Sequence, residues 1–183
     1  VDFGSDVVLL AAGANHRVPG DLERGAQVLS AREYTIQSGN LNGKTAVLID
    51  EDGTAATYGV ADLMAQNFKS VILVTSRPRV AASVNHCSAI GVFRRLYGAN
   101  IQIQPAQQVL SFVDKVVTLK NPYNAVESKI SDIDLLVYST PRISNDQLAD
   151  ELDDPLIEKI GDCRSPRNLM TAIQNGHAIA DAL

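Results

Sequence analysis

Two aspartates stand in a short turn between an apolar run and a region of helical spacing. The turn reads Asp50-Glu-Asp52-Gly53-Thr-Ala55. A dinucleotide phosphate is bound in such a turn by G-x-G-x-x-G/A, whose glycines let the backbone approach the pyrophosphate. Asp50 and Asp52 occupy the first two glycine positions, Ala55 fills the third, and Gly53 falls one place late. A carboxylate at the second position would oppose a phosphate by about 1 to 4 kcal/mol per contact.

Three uses of this turn remain open from the sequence. The turn could hold a phosphate in spite of its carboxylates, with contacts at Asp52, Gly53, Thr54 and Ala55. Asp52 or Thr54 could instead cap the following helix, because a side-chain oxygen at that place accepts helix amides. Asp50 and Asp52 could bind a metal ion, but the turn lacks further ligand residues. The cap is the favoured interpretation, and we predict no metal site.

The segments around the turn form a strand–helix–strand unit. Residues 45–49 are an apolar run, typical of a strand that is covered on both faces. Residues 70–75 are a second run of the same kind. Between them, apolar residues recur with the spacing of a helix that buries one face, at Val60, Leu63, Met64 and Phe68. This order is the opening unit of a nucleotide-binding fold.

The end of the second strand bears on which nucleotide could bind. A dinucleotide fold normally has an acid there for the ribose 2′-hydroxyl. Thr75 stands at that place instead, followed by Ser76 and Arg77, with Arg79 two residues on. Ser76 and Arg77 would suit a 2′-phosphate, and therefore NADP rather than NAD, if a nucleotide binds. Since the acidic turn opposes a pyrophosphate, NAD(P) is a doubtful ligand, and ordinary surface arginines are the alternative interpretation.

Two further candidate sites lie near the ends of the sequence. The apolar run at residues 6–14 predicts a strand that ends in Gly13 and Ala14, where small residues let a ligand or another backbone come close. Near the other end, Gly161 permits an unusual backbone turn, and Asp162 precedes a loop and a helix. A carboxylate there can accept a sugar hydroxyl. An ordinary turn or helix cap is the alternative, and spacing alone does not decide between the two.

The rest of the sequence alternates between helical and strand patterns. A helix is predicted over residues 88–97 with Gly98 as its C-cap, and a buried strand over 133–138. A short acidic helix is predicted over 145–152. Short alternating runs predict a small antiparallel meander, at 106–112, 115–119 and 125–130. We therefore expect an α/β, Rossmann-like three-layer fold with a parallel central sheet and a small antiparallel meander.

Composition narrows the class of protein. The 183 residues are 45% hydrophobic, contain no Trp and have only 5% aromatics, which favours a parallel sheet covered by helices. A net charge of −5 without a basic run argues against nucleic acid and anionic membranes as partners. No apolar stretch approaches the ~18 residues of a membrane span, and no signal-peptide pattern is present, so a cytoplasmic location is expected. Cys87 and Cys163 lack the spacing of a redox or metal motif.

Taken together, four segments resemble the C-terminal region of a group of flavin oxidoreductases. The segments are DVVLLAAGANHRVPG (6–20), the strand–turn–helix of 43–68, DIDLLVYSTPRISN (132–145) and IGDCRSPRNLMTAIQNGHAIA (160–180). The group is related to trimethylamine dehydrogenase, 2,4-dienoyl-CoA reductase and N-methylproline demethylase. The resemblance extends over essentially the whole chain.

The resemblance implies a domain organisation and a set of cofactors. Residues 21–154 would be an inserted NAD(P)-type Rossmann domain, and residues 1–20 with 155–183 would be pieces of an incomplete FAD/ADP domain. Asp162 with Gly161 would contact the flavin ribitol or the nucleotide, and Gly13 and Ala14 would line the nearby crossover. FMN and a 4Fe-4S cluster would be bound only by an N-terminal barrel that precedes this region in the family.

Two functional hypotheses follow from this resemblance. In the first, the chain is a dinucleotide-binding-like fragment of an amine dehydrogenase, a demethylase or an NAD(P)H-dependent enoyl reductase, and is not catalytic alone. Its partners would be FAD or ADP, the N-terminal barrel and an electron-transfer protein. In the second, residues 21–154 are a degenerate Rossmann domain without nucleotide, serving a structural role, homo-oligomerisation or docking of an electron acceptor. No residue has the setting of a nucleophile or general base, so we assign no catalytic residue.

Overall fold

The computed structural model describes residues 6–20, 22, 27–99, 101–152 and 157–182. Contacts divide the chain into two compact units. We call residues 18–141 the core unit, and residues 1–17 together with 142–183 the flank unit. The predicted domain boundaries, 20/21 and 154/155, adjoin or fall on residues outside the described ranges and stay a prediction.

The regular elements are numbered along the chain, within the described ranges. The helices are α1 (Ala31–Gln37), α2 (Ala55–Asn67), α3 (His86–Gly98), α4 (Gln147–Leu152) and α5 (Leu169–Ala180). The strands are β1 (Val8–Leu10), β2 (Ala14–His16), β3 (Val28–Ser30), β4 (Gly43–Asp50), β5 (Phe68–Val74), β6 (Gln102–Gln104), β7 (Gln108–Val113), β8 (Val116–Lys120), β9 (Glu127–Ile130), β10 (Leu135–Ser139), β11 (Arg142–Ser144) and β12 (Ile157–Lys159).

A five-stranded parallel sheet forms the centre of the core unit. Its strand order is β3-β10-β4-β5-β6. Val47 in the middle of β4 lies opposite Leu136 of β10 and Ile72 of β5. β4 is buried from Ala46 to Asp50, as expected of a parallel strand that is covered on both faces. The carboxyl ends of β4, β5 and β10 therefore lie side by side at one edge of the sheet.

Helices α1, α2 and α3 cover one face of this sheet. Alternate side chains of β4 and β5, such as Leu48 and Leu73, pack with the helices in one apolar cluster. Helix α1 begins at a capping box, in which Glu33 N donates to Ser30 Oγ and Ser30 N donates to the Glu33 carboxylate. Four large side chains of this cluster are fully buried: Tyr34, Tyr58, Met64 and Leu96.

The antiparallel meander β7-β8-β9 packs against the other face of the sheet, where a second apolar cluster lies. Val47 and Ile49 of β4 belong to the same buried cluster as Val117 and Leu119 of β8. β7 and β8 are joined through Asp114 and Lys115, both of which have positive φ values, +51° and +63°. Positive φ at both central residues is the geometry of a type I′ hairpin turn. The predicted three-layer α/β fold with a meander is thus confirmed.

Several predicted element ends were displaced. β7 and β9 begin two residues later than predicted, and Ala106 and Ala125 before them have φ of +54° and +59°. An L-residue with positive φ interrupts an extended strand. Gly98 is the last residue of α3 rather than its cap, and Ala99 takes the cap position. Helix α4 begins two residues after the predicted start at 145.

In its described residues, the flank unit contains two strand pairs, the helices α4 and α5, and a short 3-10 helix, Gly161–Cys163. β1 pairs in parallel with β12, and β2 pairs antiparallel with β11. Helix α5 buries none of its residues within this unit, and its Leu169, Met170 and Ile173 are more than half exposed. Among the described residues, no helix is long and apolar enough to cross a membrane.

Candidate functional site

The predicted phosphate turn, which we call the β4–α2 turn, comprises Asp50 to Thr54. The amides of Glu51 and Asp52 both donate to the carbonyl oxygen of Ser139, at 2.9 and 3.1 Å. Ser139 is the last residue of the neighbouring strand β10. The next amide, that of Gly53, donates to Asp50 Oδ1 at 2.7 Å. Three successive amides of the turn are therefore already paired within the core unit.

Asp50 is the centre of a buried polar network below the turn. Its side chain is 1% exposed, and its Oδ2 accepts a hydrogen bond from Tyr58 Oη at 2.6 Å. Tyr58 Oη in turn accepts from the amide of Ala81 at 2.5 Å. Burial raises the pKa of Asp50, and the bonds from Tyr58 and Gly53 and the charge of Arg77 offset part of that rise. Burial, followed by the bond to Asp50, likewise raises the pKa of Tyr58.

Arg77 lies across the outer side of the turn. Its Nη2 donates to the carbonyl of Glu51 at 2.9 Å, and its Nη1 to that of Asp52 at 3.4 Å. Nη1 also donates to Ser83 Oγ at 3.2 Å. Gly53 has a φ of +69°, and a Cβ there would lie 2.1 Å from Arg77 Nη1. The structure thus brings Gly53 and Arg77 together, although the sequence suggested separate phosphate contacts for them. Ser76 is half-buried beside Arg77.

The predicted side-chain cap of α2 is not formed, although Thr54 does occupy the N-cap position. Thr54 is the N-cap residue of α2, but no side-chain oxygen accepts a helix amide there. Thr54 Oγ1 donates to Asp52 Oδ2 at 2.7 Å instead, so the two candidate cap side chains bond to each other. Ala55, the first residue of α2, is exposed. Within the described residues, no group of three or more His, Cys, Asp or Glu side chains is arranged for a metal ion.

Part of the place that a dinucleotide pyrophosphate would occupy is already filled in the β4–α2 turn. Such a ligand needs free amides and close approach to the backbone. The amides of Glu51, Asp52 and Gly53 are engaged by Ser139 and Asp50. The Arg77 guanidinium rests against Gly53, where the backbone would have to be open. The closure arises from tertiary contacts as well as from the carboxylates visible in the sequence.

The second candidate region, which we call the Asp162 cluster, lies in the flank unit. Asp162 Oδ2 accepts a hydrogen bond from Arg142 Nη1 in an ion pair, and Oδ1 accepts from the amide of Arg167 at 3.0 Å. Arg142 Nη2 also donates to the carbonyl of Arg167 at 2.9 Å. The side chains of Arg142 and Asp162 are 32% and 23% exposed. Arg142 was missed from the sequence because it stands 20 residues before its partner.

The other predicted flank residues belong to the same cluster. Gly13 has a φ of +74°, and its carbonyl accepts from the amide of Asn145 at 2.9 Å. Ala14 pairs with Ser144 across β2 and β11, and Ser144 Oγ donates to the carbonyl of Asp162 at 3.2 Å. Gly161 has a φ of +58°. Each carboxylate oxygen of Asp162 accepts one hydrogen bond, Oδ2 from Arg142 and Oδ1 from the Arg167 amide. Each oxygen retains a second lone pair, so the carboxylate can still accept a sugar hydroxyl.

Comparison with known proteins identifies structural relatives. No family model matches the chain, and no curated protein matches it. The chain is similar to histamine dehydrogenase from Rhizobium sp. 4-9, with 26% identity and a TM-score of 0.84 over 96% of this chain. It is also similar to 6-hydroxypseudooxynicotine amine oxidase from Pseudomonas geniculata N1 (23% identity, TM-score 0.84, 96% of this chain). 2-Naphthoyl-CoA reductase gives 20% identity and a TM-score of 0.82 over 97% of this chain.

These relatives confirm the predicted resemblance. All three are related to trimethylamine dehydrogenase and 2,4-dienoyl-CoA reductase. The chain is accordingly similar, over nearly its full length, to the FAD/NAD-binding Rossmann-like part of that group of flavin oxidoreductases. It spans 30%, 29% and 27% of the length of the three matched chains.

Proposed function

We propose that the chain is the C-terminal dinucleotide-binding-like region of a flavin oxidoreductase and is not catalytic alone. In this proposal residues 21–154 are an NAD(P)-type domain whose nucleotide place is closed, and residues 1–20 with 155–183 contribute to an FAD or ADP site. The observation that supports a closed nucleotide place is the pairing of three successive turn amides with Ser139 and Asp50. A Rossmann-like unit built in this way keeps the fold, but its turn offers a pyrophosphate fewer free amides than the glycine-rich turn does.

The Asp162 cluster supports the FAD or ADP part of the proposal. Asp162 stands beside Gly161, at the position that the family resemblance associates with a flavin ribitol or nucleotide contact. Its carboxylate is partly exposed and is held by Arg142 and the Arg167 amide. Such orientation would suit an acceptor for a ribose or ribitol hydroxyl. The remainder of the FAD or ADP site would come from residues outside this chain.

The proposed parent enzyme would oxidise an amine or reduce an enoyl-type substrate. Histamine dehydrogenase and an amine oxidase are among the matched structures, as is a CoA-ester reductase, and each matched chain is more than three times as long as the matched part. In the parent, FMN and a 4Fe-4S cluster would lie in an N-terminal barrel. An electron-transfer protein would be its redox partner.

Isothermal titration calorimetry of the purified chain with ADP, FAD, NADH and NADPH tests this proposal. We expect no saturable binding of NADH or NADPH, because the β4–α2 turn is closed. Any heat from ADP or FAD should be reduced by Asp162→Asn and unchanged by Arg77→Ala. A low-micromolar NADH dissociation constant that is lost in Arg77→Ala, but kept in the matched variant Arg79→Ala, would overturn the proposal. Arg79 is an exposed arginine two residues away.

The closed turn also favours a second candidate function for the core unit. A Rossmann-like domain without a nucleotide could provide subunit contacts or a docking surface for an electron acceptor. This candidate predicts that the chain self-associates in sedimentation velocity or binds an electron-transfer protein through the core unit. A chain that stays monomeric and binds no electron-transfer protein would exclude it.

A further inference from the structure

A large cavity lies at the edge of the core sheet opposite to the β4–α2 turn. We call it the amino-edge groove, because its walls come from residues at the amino ends of β4, β5 and β10. Its volume is about 1050 Å³, and its charged lining residues are Lys44, Lys69, Lys115, Asp132 and Asp134. This volume lies just above the range for small-molecule sites, roughly 300 to 1,000 Å³.

Two lysines of the groove lie opposite each other on neighbouring strands. Gly43 and Thr45 pair with Phe68 and Ser70, so Lys44 of β4 stands opposite Lys69 of β5. Both side chains project from the face that α2 covers, since the alternate residues beyond them pack with the helices. Like charges directly opposite on adjacent strands destabilise a sheet. The negative end of the α2 helix dipole, at Asn67, stabilises the positive charge of Lys69. It is not a counter-charge that both lysines share.

The carboxylates of the groove do not neutralise this pair. Asp134 Oδ2 accepts from the amides of Lys44 and Thr45, at 2.8 and 3.3 Å, and Oδ1 accepts from Lys115 Nζ at 3.1 Å. These bonds lower the pKa of Asp134 and commit its charge to Lys115. The structure shows no ion pair for the side chains of Lys44 and Lys69 among the described residues. Asp132 is then the remaining carboxylate against two cations, a local positive surplus in a chain of net charge −5.

We propose that the amino-edge groove binds a small polyanion, a molecule that carries two or more carboxylate or phosphate groups. One anionic group bridges Lys44 and Lys69 and removes their mutual repulsion. Gln66 also lines the groove, and its Nε2 donates to the carbonyl of Asp62 at 3.4 Å. This site is independent of the β4–α2 turn and of the Asp162 cluster.

Calorimetric titration of the purified chain with pyrophosphate and with citrate, at constant ionic strength, tests the site. Saturable binding is expected for at least one of the two, and the comparison distinguishes a phosphate ligand from a carboxylate ligand. Lys44→Gln and Lys69→Gln should each weaken that binding about tenfold, since each removes one charge-assisted contact. The matched variant Lys129→Gln, an exposed lysine of β9 outside the groove, should bind as the unaltered chain does.

Thermal unfolding provides a second readout, which tests the repulsion between the two lysines without any ligand. Relief of the repulsion predicts that Lys44→Gln and Lys69→Gln unfold at a higher temperature than the unaltered chain in chloride buffer, whereas Lys129→Gln does not. Absence of saturable binding of both anions would overturn the proposal. An equal loss of binding in Lys129→Gln would also overturn it, because it would indicate general charge attraction.

Discussion

The β4–α2 turn and the Asp162 cluster are each covered by an arginine of the same chain, but in different ways. Arg77 donates to two backbone carbonyls of the turn, whose amides are bound to Ser139 and Asp50. Arg142 instead forms a partly exposed ion pair with the carboxylate of Asp162. In the turn, bonds from Ser139 and Asp50 occupy the backbone amides. In the cluster, the Arg142 side chain orients the carboxylate of Asp162, which is the predicted ligand contact.

The contacts of the β4–α2 turn block a ligand site, whereas those of the Asp162 cluster orient a side chain that can still contact a ligand. Removing Arg77 would leave three turn amides still engaged, so the turn would stay closed to a pyrophosphate. Removing Arg142 would leave Asp162 with one backbone partner, the amide of Arg167. Two of the three amide bonds are to the backbone carbonyl of Ser139, and these persist after any one side chain is changed, whereas the bond of the Gly53 amide depends on the Asp50 side chain.

The largest expected effect is that of Tyr58→Phe. The change leaves the buried Asp50 carboxylate and the Ala81 amide each without the bond that Tyr58 Oη provides. We expect the free energy of unfolding to fall by about 3 kcal/mol, since buried groups lose their partners and one is ionisable. Urea denaturation measures this change. Tyr97→Phe is the control, because Tyr97 is 70% exposed, and a similar loss in both variants would contradict the buried network.

Gly53→Ala should have the next largest effect. The φ of +69° strains an L-residue, and its Cβ would displace the Arg77 guanidinium. A loss of about 1 to 2 kcal/mol in the free energy of unfolding is expected. Gly59→Ala in α2 is the matched control, with open space around the added Cβ, and should stabilise the chain by about 0.5 to 1 kcal/mol. Equal effects of the two substitutions would show that Gly53 is not constrained.

The pH dependence of stability should report the buried Asp50. Its pKa in the folded chain is raised, mainly by burial, so its stabilising contribution is full below the pKa of the unfolded chain, about 4. That contribution is lost as the pH rises through the raised pKa of the folded state. We therefore expect Asp50→Asn to gain stability relative to the unaltered chain as the pH rises above about 4, through the raised pKa of the folded state. A difference between the two curves that stays constant with pH would contradict the buried, raised carboxyl.

The smallest effect on stability is expected for Arg142→Gln. A partly exposed ion pair contributes about 1 kcal/mol or less, and Asp162 retains its bond from the Arg167 amide. Thermal unfolding should therefore differ little from that of Arg164→Gln, an exposed neighbour of Asp162. A loss above about 2 kcal/mol would mean that the Asp162 cluster is a structural closure like the β4–α2 turn.

Local sequence patterns predicted the fold well because its elements are encoded locally. The apolar run at 45–49 and the helical spacing after Ala56 led to β4 and α2, and alternating runs led to the meander. Strand starts were misplaced where Ala106 and Ala125 adopt positive φ, which no residue type announced.

The contacts of the candidate sites were less predictable, because they join residues that are far apart in the sequence. Tyr58 stands on the inward face of α2, eight residues after Asp50, and that spacing was the available signal for the buried network. The carbonyl of Ser139, which binds the turn amides, depends on β10 lying beside β4. The pairing of Arg142 with Asp162 depends in the same way on the folded flank unit.

Hydrogen–deuterium exchange of the Glu51, Asp52 and Gly53 amides, followed by NMR with and without NADH, tests the closed turn most directly. A closed turn predicts slow exchange of all three amides in the free chain, because each donates to Ser139 or Asp50. It also predicts no change in their exchange rates or chemical shifts when NADH is added. Rapid exchange in the free chain, replaced by protection of these amides on addition of NADH, would contradict it.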